Sequence, residues 1–201
     1  MKNFILIICL FSILTNTKAQ TEGYKIGDVV KDFSLQNVDG KMVSLADYKD
    51  AKGFIVVFTC NHCPFSQAYE QRIINLHKKY ASKGFPVLAI NPNDKDREPE
   101  DSYENMQKRA KEKKYPFVYL YDQTQENAKL YGAMRTPHVF ILSKKTTGNV
   151  VEYIGAIDDN FEEPQHVKIK YAEDALNALI ENKPIKVTYT KAIGCGIKWK
   201  R

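Results

Sequence analysis

The chain has 201 residues, 43% apolar and 27% charged, with a formal net charge of +6. That length and apolar content suit one compact domain with a real core. The absence from the sequence of repeats, low-complexity tracts and a second long apolar run excludes a repeat array or a multi-spanning membrane protein.

The amino terminus reads as an export signal. Lys2 precedes an apolar run from Phe4 to Leu14, and polar residues follow to Thr17-Lys18-Ala19. This is the three-part pattern of a secretory leader, with an apolar run too short to span a bilayer comfortably. Cleavage after Ala19 is expected, giving a signal peptide at 1–19, a mature domain at 20–201 and a periplasmic or secreted location. The competing reading is an uncleaved anchor. Cleavage removes Cys9, leaves no stable membrane insertion and, by loss of Lys2 and Lys18, lowers the charge from +6 to +4. The densest basic run, KRAKEKK at 108–114, is broken by Glu112 and has helical spacing, so it reads as a solvated helix face, with no nucleic-acid partner expected.

The mature part alternates strand and helix signals. Phe33 and Leu35 against Val43 and Leu45 flank Asp39-Gly40, a hairpin signature. GFIVVFT at 53–59 is a continuous apolar run of the type buried on both faces of a parallel sheet. Phe65, Ala68, Tyr69, Ile73, Leu76 and Tyr80 then recur at helical spacing up to Gly84. Further strands are expected at 86–91 and 117–121, and helices near 101–113 and 126–131. A closing strand pair at 138–142 and 150–155 turns at Thr147-Gly148-Asn149, and a last helix carrying Ala172, Ala175, Leu176, Leu179 and Ile180 ends before Pro184. The expectation is an α/β fold, a central mixed sheet flanked by helices with an amino-terminal hairpin.

Chemistry in such a sheet gathers at the carboxyl ends of its parallel strands. FTCNHCP, at 58–64, places Cys60 there, where a strand runs into a helix. The loop Asn91-Pro92-Asn93-Asp94 and the dipeptide Thr136-Pro137 open on the same edge. A thiolate near a helix amino terminus is favoured by free N–H groups and the helix dipole, which makes Cys60 the expected exposed nucleophile. His62, as imidazolium, stabilises that thiolate. Cys63, less exposed and followed by Pro64, is the expected resolving thiol and disulfide partner of Cys60. A zinc site is disfavoured because one Cys pair supplies half the usual ligands. A permanent bridge, and a copper carrier using Cys60, Cys63 and His138, stay open as alternatives.

Together FTCNHCP, AINPND, PEDSYENM, YGAMRTPHVFIL, IGAIDDN and GCGIKWK resemble a thioredoxin-superfamily protein of the peroxiredoxin-like branch, related to the alkyl hydroperoxide reductase and thiol-specific antioxidant family. The resemblance covers essentially the whole mature chain. It implies a cis Pro137 facing the cysteines, Thr136 offering its backbone to an extended substrate, and Arg135 as a counterpart of the family's pocket arginine. This sequence departs from its relatives at Thr59, where thioredoxins carry Trp, and at Cys60 and Val56, which replace the hydroxyl and proline of a peroxiredoxin pocket. Thiol-disulfide exchange with protein or small thiol partners, without a cofactor, is therefore favoured over thiol peroxidase activity. Cys195 is the odd thiol. Flanked by Gly194 and Gly196, it is read as a small buried residue locking down the tail, with an auxiliary redox thiol as the sharper alternative.

Overall fold

A computed structural model describes residues 23–201, so the expected leader, residues 1–19 with Cys9, lies outside the described residues. The predicted hairpin forms. Strands β1 (Leu35–Asn37) and β2 (Met42–Val43) pair antiparallel, with Leu35 opposite Val43. Gly40 turns between them at φ 87°, a region glycine occupies without steric cost.

Strand β3 (Gly53–Phe58) lies in the middle of a seven-stranded sheet completed by β4 (Val87–Asn91), β5 (Val118–Tyr121), β7 (His138–Lys145) and β8 (Gly148–Gly155), in the order β2-β1-β5-β4-β3-β7-β8. β3, β4 and β5 run parallel, and β7 returns antiparallel beside β3. The sheet is mixed, as expected. The β7–β8 turn falls at Thr146-Thr147, one residue earlier than the Gly148 signal suggests, because Gly148 already pairs with Lys145.

Helices α1 (Pro64–Tyr80), α2 (Tyr103–Glu112), α3 (Glu126–Tyr131) and α4 (Tyr171–Ile180) cover the sheet. Every residue of β3 is buried, and its period-2 alternation divides two cores. Ile55 and Val57 pack with Tyr69, Ile73 and Leu76 of α1 and with Ala172, Ala175 and Leu176 of α4. Phe54, Val56 and Phe58 face Phe140, Leu35, and Ala128 and Tyr131 of α3. Met106 of α2 seals a third cluster with Tyr119 and Tyr121. His77 of α1 is half-buried. It accepts the Val87 N–H at 3.2 Å, and burial lowers its pKa. Among the described residues no helix is long and apolar enough to cross a membrane.

Two short strands have no counterpart among the expected elements. β6 (Arg135–Thr136) forms a second sheet with β9 (Cys195–Gly196), which brings the carboxyl-terminal tail to the edge where β3 ends.

Candidate functional site

The motif at the end of β3 is arranged differently from the expectation in one respect that changes its chemistry. Cys63 is the N-cap residue of α1, with Pro64 in the first turn, where its missing N–H costs nothing. Cys60 stands three residues earlier, in the loop. Neither is exposed: Cys60 is 4% accessible and Cys63 0%. The expected exposed nucleophile is thus a buried one. It lines a cleft with Ser66, Glu70, Tyr115 and Phe117 that holds about 10 Å³, room for one water molecule.

The expected Cys60–Cys63 pairing is also corrected. Cys63 is bonded to Cys195, and Cys60 is a free thiol. The reason is register. β9 lies antiparallel to β6 with Cys195 opposite Thr136, while Cys63 Sγ lies 3.2 Å from the Thr136 carbonyl oxygen. The two Cα atoms are then 6.0 Å apart, inside the range a disulfide spans. Gly194 permits the approach, since a Cβ there would stand 2.2 Å from the Thr136 oxygen. Neither Gly194 nor Gly196 has a left-handed φ, so the tail glycines serve close contact and open space, not unusual angles.

The tail is held along its length. Arg135 Nη1 donates to Gly194 O at 2.8 Å, Lys198 N donates to Asn93 Oδ1 at 2.8 Å, and Gln125 Nε2 donates to Lys198 O at 2.8 Å. Ile197 is buried, whereas Ile193 is exposed, so the tail packs on the domain through Ile197 and not through Ile193. Cys195 itself is half-buried and bridged. This corrects its reading as a small buried apolar residue.

Around Cys60 the polar groups converge. Its Sγ lies 3.1 Å from Thr136 Oγ1 and 3.7 Å from Ser66 Oγ. His62 Nδ1 makes a 2.6 Å hydrogen bond to Asp101 Oδ2, and its Nε2 is 3.5 Å from Glu98. Asp101 is fully buried and also accepts from Asn61 N at 2.6 Å and Asn93 Nδ2 at 2.7 Å. The His62 pKa rises from 6.5 to about 9, first through its hydrogen bond to Cys60 and then, against the cost of burial, through the charges of Cys60 and Asp101. Donor atoms of Cys60, His62 and Asp101 all lie within 4.8 Å of one another. The short imidazole-carboxylate bond already occupies one donor atom on each of two members, which fits a proton-linked triad better than a cation site.

Sequence reasoning missed Asp101. It follows Pro99-Glu100 and precedes Ser102, the N-cap of α2, so it reads as an ordinary helix-start acid. Only the fold turns it toward His62. The Thr136–Pro137 peptide is cis, as the resemblance implies, and places Thr136 against both cysteines. Arg135, in contrast, is exposed and bonded to the tail. His138 stands apart from the triad: burial lowers its pKa to about 4, and its ring packs 4.6 Å from that of Phe140. The copper set of Cys60, Cys63 and His138 is thus replaced, as a cluster of donor atoms, by Cys60, His62 and Asp101.

A sheet of this topology with a cysteine pair at its central strand end and a cis proline opposite defines a thioredoxin-superfamily redox protein. Within that class the chain belongs to the AhpC/TSA family, whose model matches residues 26–153. It is similar to a conserved protein of Geobacillus kaustophilus, described as uncharacterized, at 40% identity over 88% of this chain and 93% of that one, with a TM-score of 0.79. It is also similar to the thiol-disulfide oxidoreductase ResA of Bacillus thuringiensis subsp. konkukian, 25% identical over 75% of this chain and 83% of the relative. Against ResA of Oceanobacillus iheyensis the identity is 29% over 40% of this chain, and the match spans 44% of that relative's length.

Proposed function

We infer that this chain is an exported thiol-disulfide oxidoreductase, with Cys60 as nucleophile, Cys63 as the sulfur it exchanges with, and His62 as the cation that favours the Cys60 thiolate. One observation carries the reading. A free thiol beside the His62–Asp101 pair shares a single contact residue, Thr136, with a sulfur already in a disulfide. Thiolate and disulfide are the two reactants of exchange. Thr136 and Pro137 keep the substrate-binding role the resemblance implies, but both are buried and Thr136 pairs with Cys195 of β9, so an extended partner reaches them only in place of the tail. The name and activity of the ResA relatives support the same chemistry, and the pattern of residues 1–19 supports export. A thiol or disulfide protein serves as electron partner, and no bound cofactor is needed.

The test is mild reduction, or none, of the native protein, followed by acid quench, unfolding and alkylation, read by mass. One label before reduction and three after it, with a measurable two-electron potential, are expected. A disulfide that withstands dithiothreitol in the native protein would refute exchange. The AhpC/TSA match makes peroxidase activity the second reading. It requires sulfenic acid at Cys63 or Cys60 forming much faster with hydrogen peroxide than on a free thiol. Arg135, turned to Gly194, offers that reaction no support.

A further inference from the structure

We propose that Cys195 is the sulfur through which external thiols reach this site, and that Cys60 shuttles the disulfide on and off it by attacking Cys63. The inference rests on the thiol-disulfide exchange reading and adds a route to it. Access decides the matter. Cys63 is 0% exposed and Cys60 is 4% exposed beside a cleft with room for one water, so neither offers a protein thiol an approach. Cys195 is half-buried on a two-residue strand paired with β6, next to exposed Gly196. Of the bridge's two sulfurs, it is the one an outside thiolate can strike, and exchange requires access to the sulfur attacked.

The steps balance. A thiolate of a protein dithiol attacks Cys195 Sγ. The Cys63–Cys195 bond breaks, a mixed disulfide forms on Cys195, and Cys63 leaves with the electron pair and takes a proton. The partner's second thiol then displaces Cys195. The partner becomes a disulfide, and Cys63 and Cys195 become thiols, two electrons and two protons having moved. The inward step involves no external reactant. Cys60 thiolate attacks Cys63 Sγ, the Cys60–Cys63 bond forms, Cys195 departs as thiolate, and the proton lost by Cys60 is regained at Cys195. That step also cuts the covalent link between β9 and α1, leaving the tail held by hydrogen bonds to Thr136, Arg135, Asn93 and Gln125 and by burial of Ile197.

The full chain, oxidised, is challenged with reduced thioredoxin whose resolving cysteine is changed to serine, and proteolysis with mass spectrometry locates the trapped mixed disulfide. A bond on Cys195 is expected. A bond on Cys60 or Cys63 overturns the route while leaving exchange intact. No mixed disulfide at all, together with a bridge that dithiothreitol does not open, removes exchange and the route with it. In Cys195→Ser a Cys60–Cys63 disulfide is expected, reduced by wild-type thioredoxin at least about tenfold more slowly than the wild-type bridge, because only buried sulfurs remain. A small phosphine should reduce the two proteins at similar rates. Equal thioredoxin rates overturn the proposal. Acid-quenched mapping of the wild type should find both the Cys63–Cys195 and Cys60–Cys63 isomers, and of Cys60→Ser only the first. Failure to find the second isomer in wild type overturns the inward step.

Discussion

The charge on His62 is the most direct handle on the site. Its pKa stands at about 9 against 6.5 for a free imidazole, and at 1.36 kcal/mol per unit that difference corresponds to roughly 3 kcal/mol between its two protonation states. The side chain is 15% exposed, and solvent screening trims the net effect to about 2 kcal/mol. The sign follows from the direction. A group whose pKa is raised on folding stabilises fully below its unfolded value and loses that contribution as pH climbs through the folded one. The difference in unfolding free energy between wild type and His62→Gln should therefore be largest at pH 6 and fall by about 2 kcal/mol toward pH 9.5. Trp199, the chain's only tryptophan, reports urea unfolding, and nuclear magnetic resonance of the imidazole reads the titration directly. Cys60→Ser, which removes the leading cause of the shift, should bring the titration down toward 6.5. A wild-type imidazole titrating near 6.5, or a stability difference flat from pH 6 to 9.5, would refute the triad.

Three further outcomes are expected. Asp101→Asn replaces a fully buried carboxylate that accepts from His62, Asn61 and Asn93, so stability should fall by about 2–4 kcal/mol in denaturant titrations, with the His62 titration moving to lower pH. Gly194→Ala drives a Cβ to 2.2 Å from the Thr136 oxygen and should undock β9, so peptide mapping should show Cys60–Cys63 in place of Cys63–Cys195 while far-ultraviolet dichroism stays unchanged. Reducing the bridge, which spans a sequence separation of 132, should lower unfolding free energy by about 2–4 kcal/mol, and an unchanged urea midpoint would contradict it.

The fold was legible because its signals are local. Six consecutive buried residues in β3 and the helical period of α1 each need only a short window to read. Asp39-Gly40 fixed the hairpin register by turn chemistry alone. The site was legible as far as spacing carries information: Cys60, His62 and Cys63 lie within four residues between a strand and a helix, and Thr136-Pro137 stood out as a proline entering a strand on the same edge, its cis form and substrate role coming from the resemblance. The role of Asp101 and the partner of Cys195 were illegible for one shared reason. Asp101 reaches His62 from a sequence distance of 39, and Cys195 reaches Cys63 from a distance of 132, through contacts that neither end announces.

That asymmetry explains why the local pairing was the natural expectation. Two cysteines separated by two residues need little chain closure to meet, and loop-closure entropy grows with loop length. A distant partner wins only where the folded chain has already met that cost. Here the tail is fixed by β pairing with Thr136, by side-chain bonds from Arg135, Asn93 and Gln125, and by burial of Ile197, so Cys195 arrives opposite Cys63 as a consequence of folding. Cys60 has no such docking requirement and remains poised against Thr136. The local and distant bonds thus compete for one sulfur. Anything that loosens the tail should shift the balance toward Cys60–Cys63, and anything that docks it should shift the balance back. Mapping the two isomers in wild type as denaturant is raised below the unfolding midpoint tests this. Growth of the Cys60–Cys63 form ahead of global unfolding is expected, and a constant ratio up to the transition would show that docking does not control the pairing.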